Sequence, residues 1–129
     1  MPFLLHYFLH LGFPALLAWL FFRPGWLRAY GILLATMLVD VDHLLADPIF
    51  AAGRCSIQFH PLHTYYAIGV YVLLLFCPRP WRIISVGLLW HMATDLLDCL
   101  MMYQQCPVCH ADAPALPLLE TLTTWLVGH

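Results

Sequence analysis

Four long apolar segments, broken only by short turn-forming loops, restrict this chain to a helical bundle in apolar surroundings. They cover about 3–22, 29–47, 62–78 and 83–103, each near the roughly 17–25 residues that cross a bilayer core as a helix. Between them lie "RPGWLR", "DPIFAAGRCSIQFHP" and "PRPWR", whose prolines and glycines are turn punctuation. Hydrophobic residues make up 63% of the 129 positions and charged ones 9%; in a soluble domain about a quarter are charged. The expectation is an all-α fold, a polytopic transmembrane bundle of four core spans forming one domain over 1–129. The closing stretch "LPLLETLTTWLVGH" carries Glu120 and reads as a short interfacial or partly inserted helix. Residues 3–22 lack a basic n-region and a small-residue cleavage site, so they read as a retained span rather than a signal peptide.

Arginine sets the expected orientation. Arg23 and Arg28 fall in the first loop, Arg79 and Arg82 in the third, and four spans place those loops on one side. The positive-inside bias makes that side cytoplasmic. The expected location is a bacterial inner membrane, crossed several times. The net charge of −2 and the absence of lysine leave no basic patch for nucleic acid.

The other ionisable residues then gather toward the opposite, periplasmic side. His6 and His10 lie in the outer half of the first segment, and Asp40, Asp42, His43 and Asp47 end the second. His60 and His63 lead into the third, and His91, Asp95 and Asp98 lie in the fourth. His6 and His10 share a helix face at i,i+4, as do His91 and Asp95. Asp40 and His43 share one at i,i+3, while Asp42 points elsewhere unless the helix unwinds near Pro48. Asp47, just before that proline, reads as a helix-end residue.

Ionisable groups are costly in a bilayer, turn inward and tend to be functional. Histidines and carboxylates on four segments, with no lysine or arginine nearby, lack a countercharge that a divalent cation supplies. The expected ligands are His6, His10, Asp40, Asp42, His43, His60, His63, His91 and Asp95, with His6 and His10 as competitors. The cofactor is one or two divalent metal ions, zinc first, with manganese or iron also suited to imidazole and carboxylate. Asp42 and Asp98 are the candidate general bases, Asp98 also being suited to orient a ligand histidine.

"DVDHLL", "HPLHTYY" and "HMATD", preceded by a helical histidine, resemble the inner-membrane metal-dependent hydrolase family of bacteria. A closer resemblance is to a group of small uncharacterised bacterial membrane proteins, over about residues 1–103. The resemblance implies that His6, Asp40, Asp42, His43, His60, His63, His91 and Asp95 carry the metal motif. The larger family has its paired histidines five apart with Arg-Gly between them; here they are three apart with Pro-Leu. The implied function is hydrolysis of a lipid or lipid-linked ester or phosphoester near the outer leaflet, with membrane lipid or a small molecule as partner. Metal binding or transport without hydrolysis stays open.

"CPVCH" at 106–110 matches the c-type haem attachment pattern, and Cys-x-x-Cys also serves disulfide and redox chemistry. A plain disulfide is the preferred reading, with a redox or haem protein as the alternative. Cys55, on the same side, offers an alternative partner for Cys106 or Cys109, and Cys77 and Cys99 read as packing residues.

Overall fold

The computed structural model describes residues 3–49, 51 and 53–128. The described residues form helices and turns without a strand. The first helix runs as α1 (Phe3–Tyr7), a π-helical turn (Phe8–Gly12) and α2 (Phe13–Phe21). Then come α3 (Trp26–Ala35), a 3-10 helix (Thr36–Leu45), a 3-10 turn (Pro61–His63) and α4 (Tyr65–Leu74). The chain closes with α5 (Trp81–Gln105), a 3-10 turn (Val108–His110) and α6 (Leu116–Val127).

Two stretches, Leu4–Phe21 and Trp81–Gln105, are long and apolar enough to cross a membrane. The four-span expectation is met only to that extent. In the second segment the α-helix ends at Ala35 and tightens to 3-10 geometry. In the third, α4 stops at Leu74, ahead of Pro78, and is apolar but short. Leu4, Leu20 and Phe21 on the first helix, and Val70, Leu73 and Phe76 in and just past α4, present exposed apolar side chains.

Two hairpins organise the chain. α2 turns into α3 through Gly25, whose φ of 100° lies in the left-handed region that only glycine enters freely. α4 turns into α5 through "PRPWR". At this end Ala18, Phe22, Ala29, Leu33 and Ile83 form one apolar core. The Arg23 guanidinium lies 3.6 Å from the centre of the Trp19 ring, and Arg28 and Arg79 line a shared cavity. A second core, Val39, Cys55, Ile57, Tyr71, Met92, Cys99, Ala115 and Leu119, joins the 3-10 helix, α4, α5 and α6 at the other end. Between the two, Gly87 of α5 lets the start of the 3-10 helix come close. A Cβ there would stand 2.8 Å from Thr36 Cγ2 and 3.1 Å from Leu33 Cδ2.

The 3-10 helix explains how "LVDVDHLL" faces the interior. At three residues per turn every third side chain eclipses. Thr36, Val39 and Asp42 form the buried stripe, Leu38, Val41 and Leu44 the exposed one, and Asp40 and His43 share the stripe beside Asp42. In an α-helix Asp40 and Asp42 would point about 160° apart; here they are about 120° apart, so both reach the bundle.

Candidate metal centre

Four residues from three separate elements meet inside the bundle: Asp40 of the 3-10 helix, His63 of the Pro61–His63 turn, and His91 and Asp95 of α5. Each offers one ligand atom, and these atoms all lie within 4.8 Å of one another, close enough to hold a metal ion. His63 Nε2 is 3.4 Å from His91 Nε2, 3.5 Å from Asp40 Oδ1 and 3.2 Å from Asp95 Oδ2. His91 Nε2 is 3.1 Å from Asp40 Oδ1 and 3.5 Å from Asp95 Oδ2. His63 and His91 are fully buried and Asp95 nearly so, while the Asp40 side chain is 48% exposed. Among the described residues the ion pairs of these carboxylates are all with histidines. Arg54 instead donates to the carbonyls of Pro48 and Ile49 at 2.7 and 2.6 Å.

Asp42 stands behind this set. Its Oδ2 accepts from His63 Nδ1–H at 3.1 Å and from the Leu62 backbone N–H at 2.8 Å. That fixes the proton of His63 on Nδ1 and turns the Nε2 lone pair toward the cage, the orienting role carboxylates play behind ligand histidines. Tyr71 holds the same turn by donating from its hydroxyl to the Leu62 carbonyl at 3.0 Å.

A second group, Asp42, His43 and His60, also brings ligand atoms within 4.8 Å of one another. His43 Nδ1 is 3.1 Å from Asp42 Oδ1, and its Nε2 is 3.2 Å from Ser56 Oγ. The His43 and His60 rings stack at 3.8 Å and 23°. His60 has the extended backbone expected before a proline. Burial, then the adjacent His43, push its imidazole below the usual value, which favours the neutral ring a metal requires.

His10 and His6 flank these groups. His10 Nε2 lies 3.5 Å from Asp95 Oδ1, and its ring is 4.6 Å from that of His91. His6 is one step further out, its ring 4.5 Å from His10 and its Nδ1 3.8 Å from Asp98 Oδ2. Asp98 therefore sits beside His6, and Asp42 is engaged at both oxygens. Asp47 is exposed beyond the end of the 3-10 helix.

Local chemistry places His10. In the π turn the Phe13 N–H bonds to the Phe8 carbonyl, and the next residue, Pro14, has no N–H. The Leu9 carbonyl thus has no helical donor, and Trp90 Nε1 fills the gap at 2.8 Å. The Phe13 and Trp90 rings stack at 4.3 Å, so one indole locks the π turn onto α5 one residue before His91. Trp90→Phe keeps a ring and removes the donor. It should lower stability by about 1–3 kcal/mol, the usual penalty for an orphaned polar group, read as a drop in the thermal unfolding midpoint in detergent.

One cysteine pairing departs from the readings above. Cys55 is bonded to Cys99, not to Cys106 or Cys109, so Cys99 is not merely a packing residue. The reason lies on α5: His91, Asp95 and Cys99 are spaced i, i+4, i+8 and share one face. The bond ties the loop carrying Ser56, His60 and His63 to the helix carrying His91 and Asp95. Cys106 is bonded to Cys109, the plain disulfide reading, which occupies both sulfurs that haem attachment would use. Both ring nitrogens of His110 lie 3.0 Å from backbone carbonyls, those of Cys106 and Gly53.

Neither a curated protein nor a solved structure matches the chain. A family of unknown function, DUF6122, matches it over residues 1–102, the stretch that holds every donor of both groups, and the chain belongs to that family.

Proposed function

We propose that the protein is a membrane-embedded metal-dependent hydrolase that binds zinc in the Asp40, His63, His91 and Asp95 cage. One observation carries the metal assignment. A tetrahedral zinc site with bonds of about 2.0–2.1 Å has ligand-to-ligand edges of about 3.3–3.4 Å. Five of the six separations among these four atoms, all but that between the two carboxylates, run from 3.1 to 3.5 Å. Two carboxylate oxygens and a lone pair fixed on His63 form an acceptor-rich set, and a cation reconciles such a set in a buried space.

The surroundings support a lipid or lipid-linked substrate. A groove of 530 Å³ is lined by Leu38, Val39, Leu62, Tyr71 and Leu88, among others. Val39 and Leu62 adjoin Asp40 and His63 in the chain, and this apolar groove supports a substrate with an acyl chain. A bound divalent ion supplies polarisation of a carbonyl or phosphoryl oxygen and a lowered pKa for water. In hydrolysis the water oxygen bonds to the acyl carbon or phosphorus. The ester C–O or P–O bond breaks, and the leaving oxygen takes up one of the water's protons. His10, beside Asp95 and with a buried Nδ1 that has no partner among the described residues, would accept the other. Asp42 then acts as a positioning residue for His63, and Asp98 pairs with His6 at the rim. The arginine end faces the cytoplasm and the site faces the periplasm of a bacterial inner membrane, where the two disulfides are at home.

The test is turnover by zinc-loaded protein in mixed micelles, on a phospholipid, a short-chain acyl ester and a phosphodiester. Hydrolysis of one of them should require zinc and vanish in Asp95→Ala. Fully zinc-loaded, folded protein that turns over none of the three would leave a metal-binding membrane protein without hydrolysis. Transport is disfavoured by the apolar core at the arginine end, where Ala18, Phe22, Ala29, Leu33 and Ile83 close the bundle.

A further inference from the structure

We infer that Asp42, His43 and His60 hold a second divalent ion beside the cage, with the Asp40 carboxylate shared between the two sites. This rests on the reading that the cage itself binds a metal.

His60 gives the first reason. The residue is 2% exposed and its Nε2 has no hydrogen-bond partner among the described residues. A buried imidazole kept only for packing would pair that nitrogen, because native interiors leave few polar atoms unsatisfied. The other two residues converge on the same place. His43 Nε2–H is positioned to donate to Ser56 Oγ at 3.2 Å. That leaves the Nδ1 lone pair facing Asp42 Oδ1 at 3.1 Å. A hydroxyl behind a histidine in this way is the support that metal-ligand histidines carry. Asp42 divides its work: Oδ2 orients His63 for the cage, while Oδ1 faces His43.

Asp40 supplies the link. Its Oδ1, 3.1 Å from His91 Nε2 and 3.5 Å from His63 Nε2, is also 3.5 Å from His43 Nδ1. One oxygen therefore borders both sets, as a carboxylate does between paired ions about 3.5–4 Å apart. Charge points the same way. Against three carboxylates, one dication leaves a negative centre, and two leave a positive one that attracts an anionic substrate group. The two sites also differ in kind. The cage offers four protein atoms and would take substrate as a fifth ligand at its exposed Asp40 edge, whereas the second set offers three of its own beside the shared Asp40 oxygen.

The test is the zinc content of tag-free protein, by elemental analysis and calorimetric titration, with the electron paramagnetic resonance of the manganese form alongside. Wild type should bind two equivalents, and its manganese spectrum should show an exchange-coupled pair. His60→Ala should bind one equivalent and give an isolated-ion spectrum. Ser56→Ala, which removes only the supporting hydroxyl, should weaken the second binding step about 10–100-fold and leave the first intact, so the inference remains testable if His60→Ala misfolds. One equivalent in wild type, lost in Asp95→Ala, overturns the second ion and leaves the cage standing. Two equivalents retained in both His60→Ala and Ser56→Ala overturn the ligand assignment. No zinc in folded wild type overturns both readings.

Discussion

Replacing His91 by Ala should weaken zinc binding at the cage by more than about 100-fold, beyond the 10–100-fold typical of losing an outer partner of a ligand. His91 Nε2 takes part in three of the five close separations that define the cage. It sits on the long helix α5 with no exposed surface. What remains, Asp40 and Asp95 with His63, is an incomplete set with two like charges. Titration of purified protein checks this, with Asp112→Ala, an exposed change in the Val108–Leu116 region, as the control that keeps its zinc. If His91→Ala binds zinc as tightly as wild type, the convergence of the four residues is polar packing and nothing more.

The second large effect should come from Cys55→Ser combined with Cys99→Ser. The bond joins residues 44 positions apart, and loop closure of that length contributes about 4 kcal/mol in the chain-entropy account. For a chain of this size that corresponds to a fall of about 10 °C or more in the unfolding midpoint. A second consequence is specific to this fold. The bond holds the loop bearing Ser56, His60 and His63 against α5, so zinc affinity should fall together with stability. Cys106→Ser with Cys109→Ser opens a bond spanning three positions and should cause the smaller change. Circular dichroism melts in detergent, run with and without reductant, measure both pairs. An unaltered midpoint and unaltered zinc binding in the Cys55/Cys99 variant would remove the disulfide from any role in placing the site.

Much of the centre was legible before any fold was known. His91 and Asp95 share a face because i,i+4 spacing is a local property of a helix, and that holds on α5. His60 is extended because of Pro61. Asp42 is where local reasoning broke down. Read at 3.6 residues per turn it points away from Asp40, yet the structure buries it. The period-three alternation of buried Thr36, Val39 and Asp42 with exposed Leu38, Val41 and Leu44 was a signal for 3-10 geometry. Its apolar side faces outward, so an inward-apolar template misses it. Cys99 was misread for a related reason: its place on the His91–Asp95 face was visible, but its partner lies 44 residues away.

The sequence by itself determined the all-helical class, the donor types and the separation of every arginine but Arg54 from the histidines and aspartates. Composition and hydropathy are sums over the chain and need no fold to be read. Only the tertiary structure decided which of nine candidate ligands form a set. It drew Asp40, His63, His91 and Asp95 together, grouped Asp42 with His43 and His60, and left His10 and His6 at the flank. Those choices depend on contacts between residues far apart in sequence, made by a tightened helix, a π turn locked by Trp90 and a disulfide across the bundle, and no local pattern encodes them.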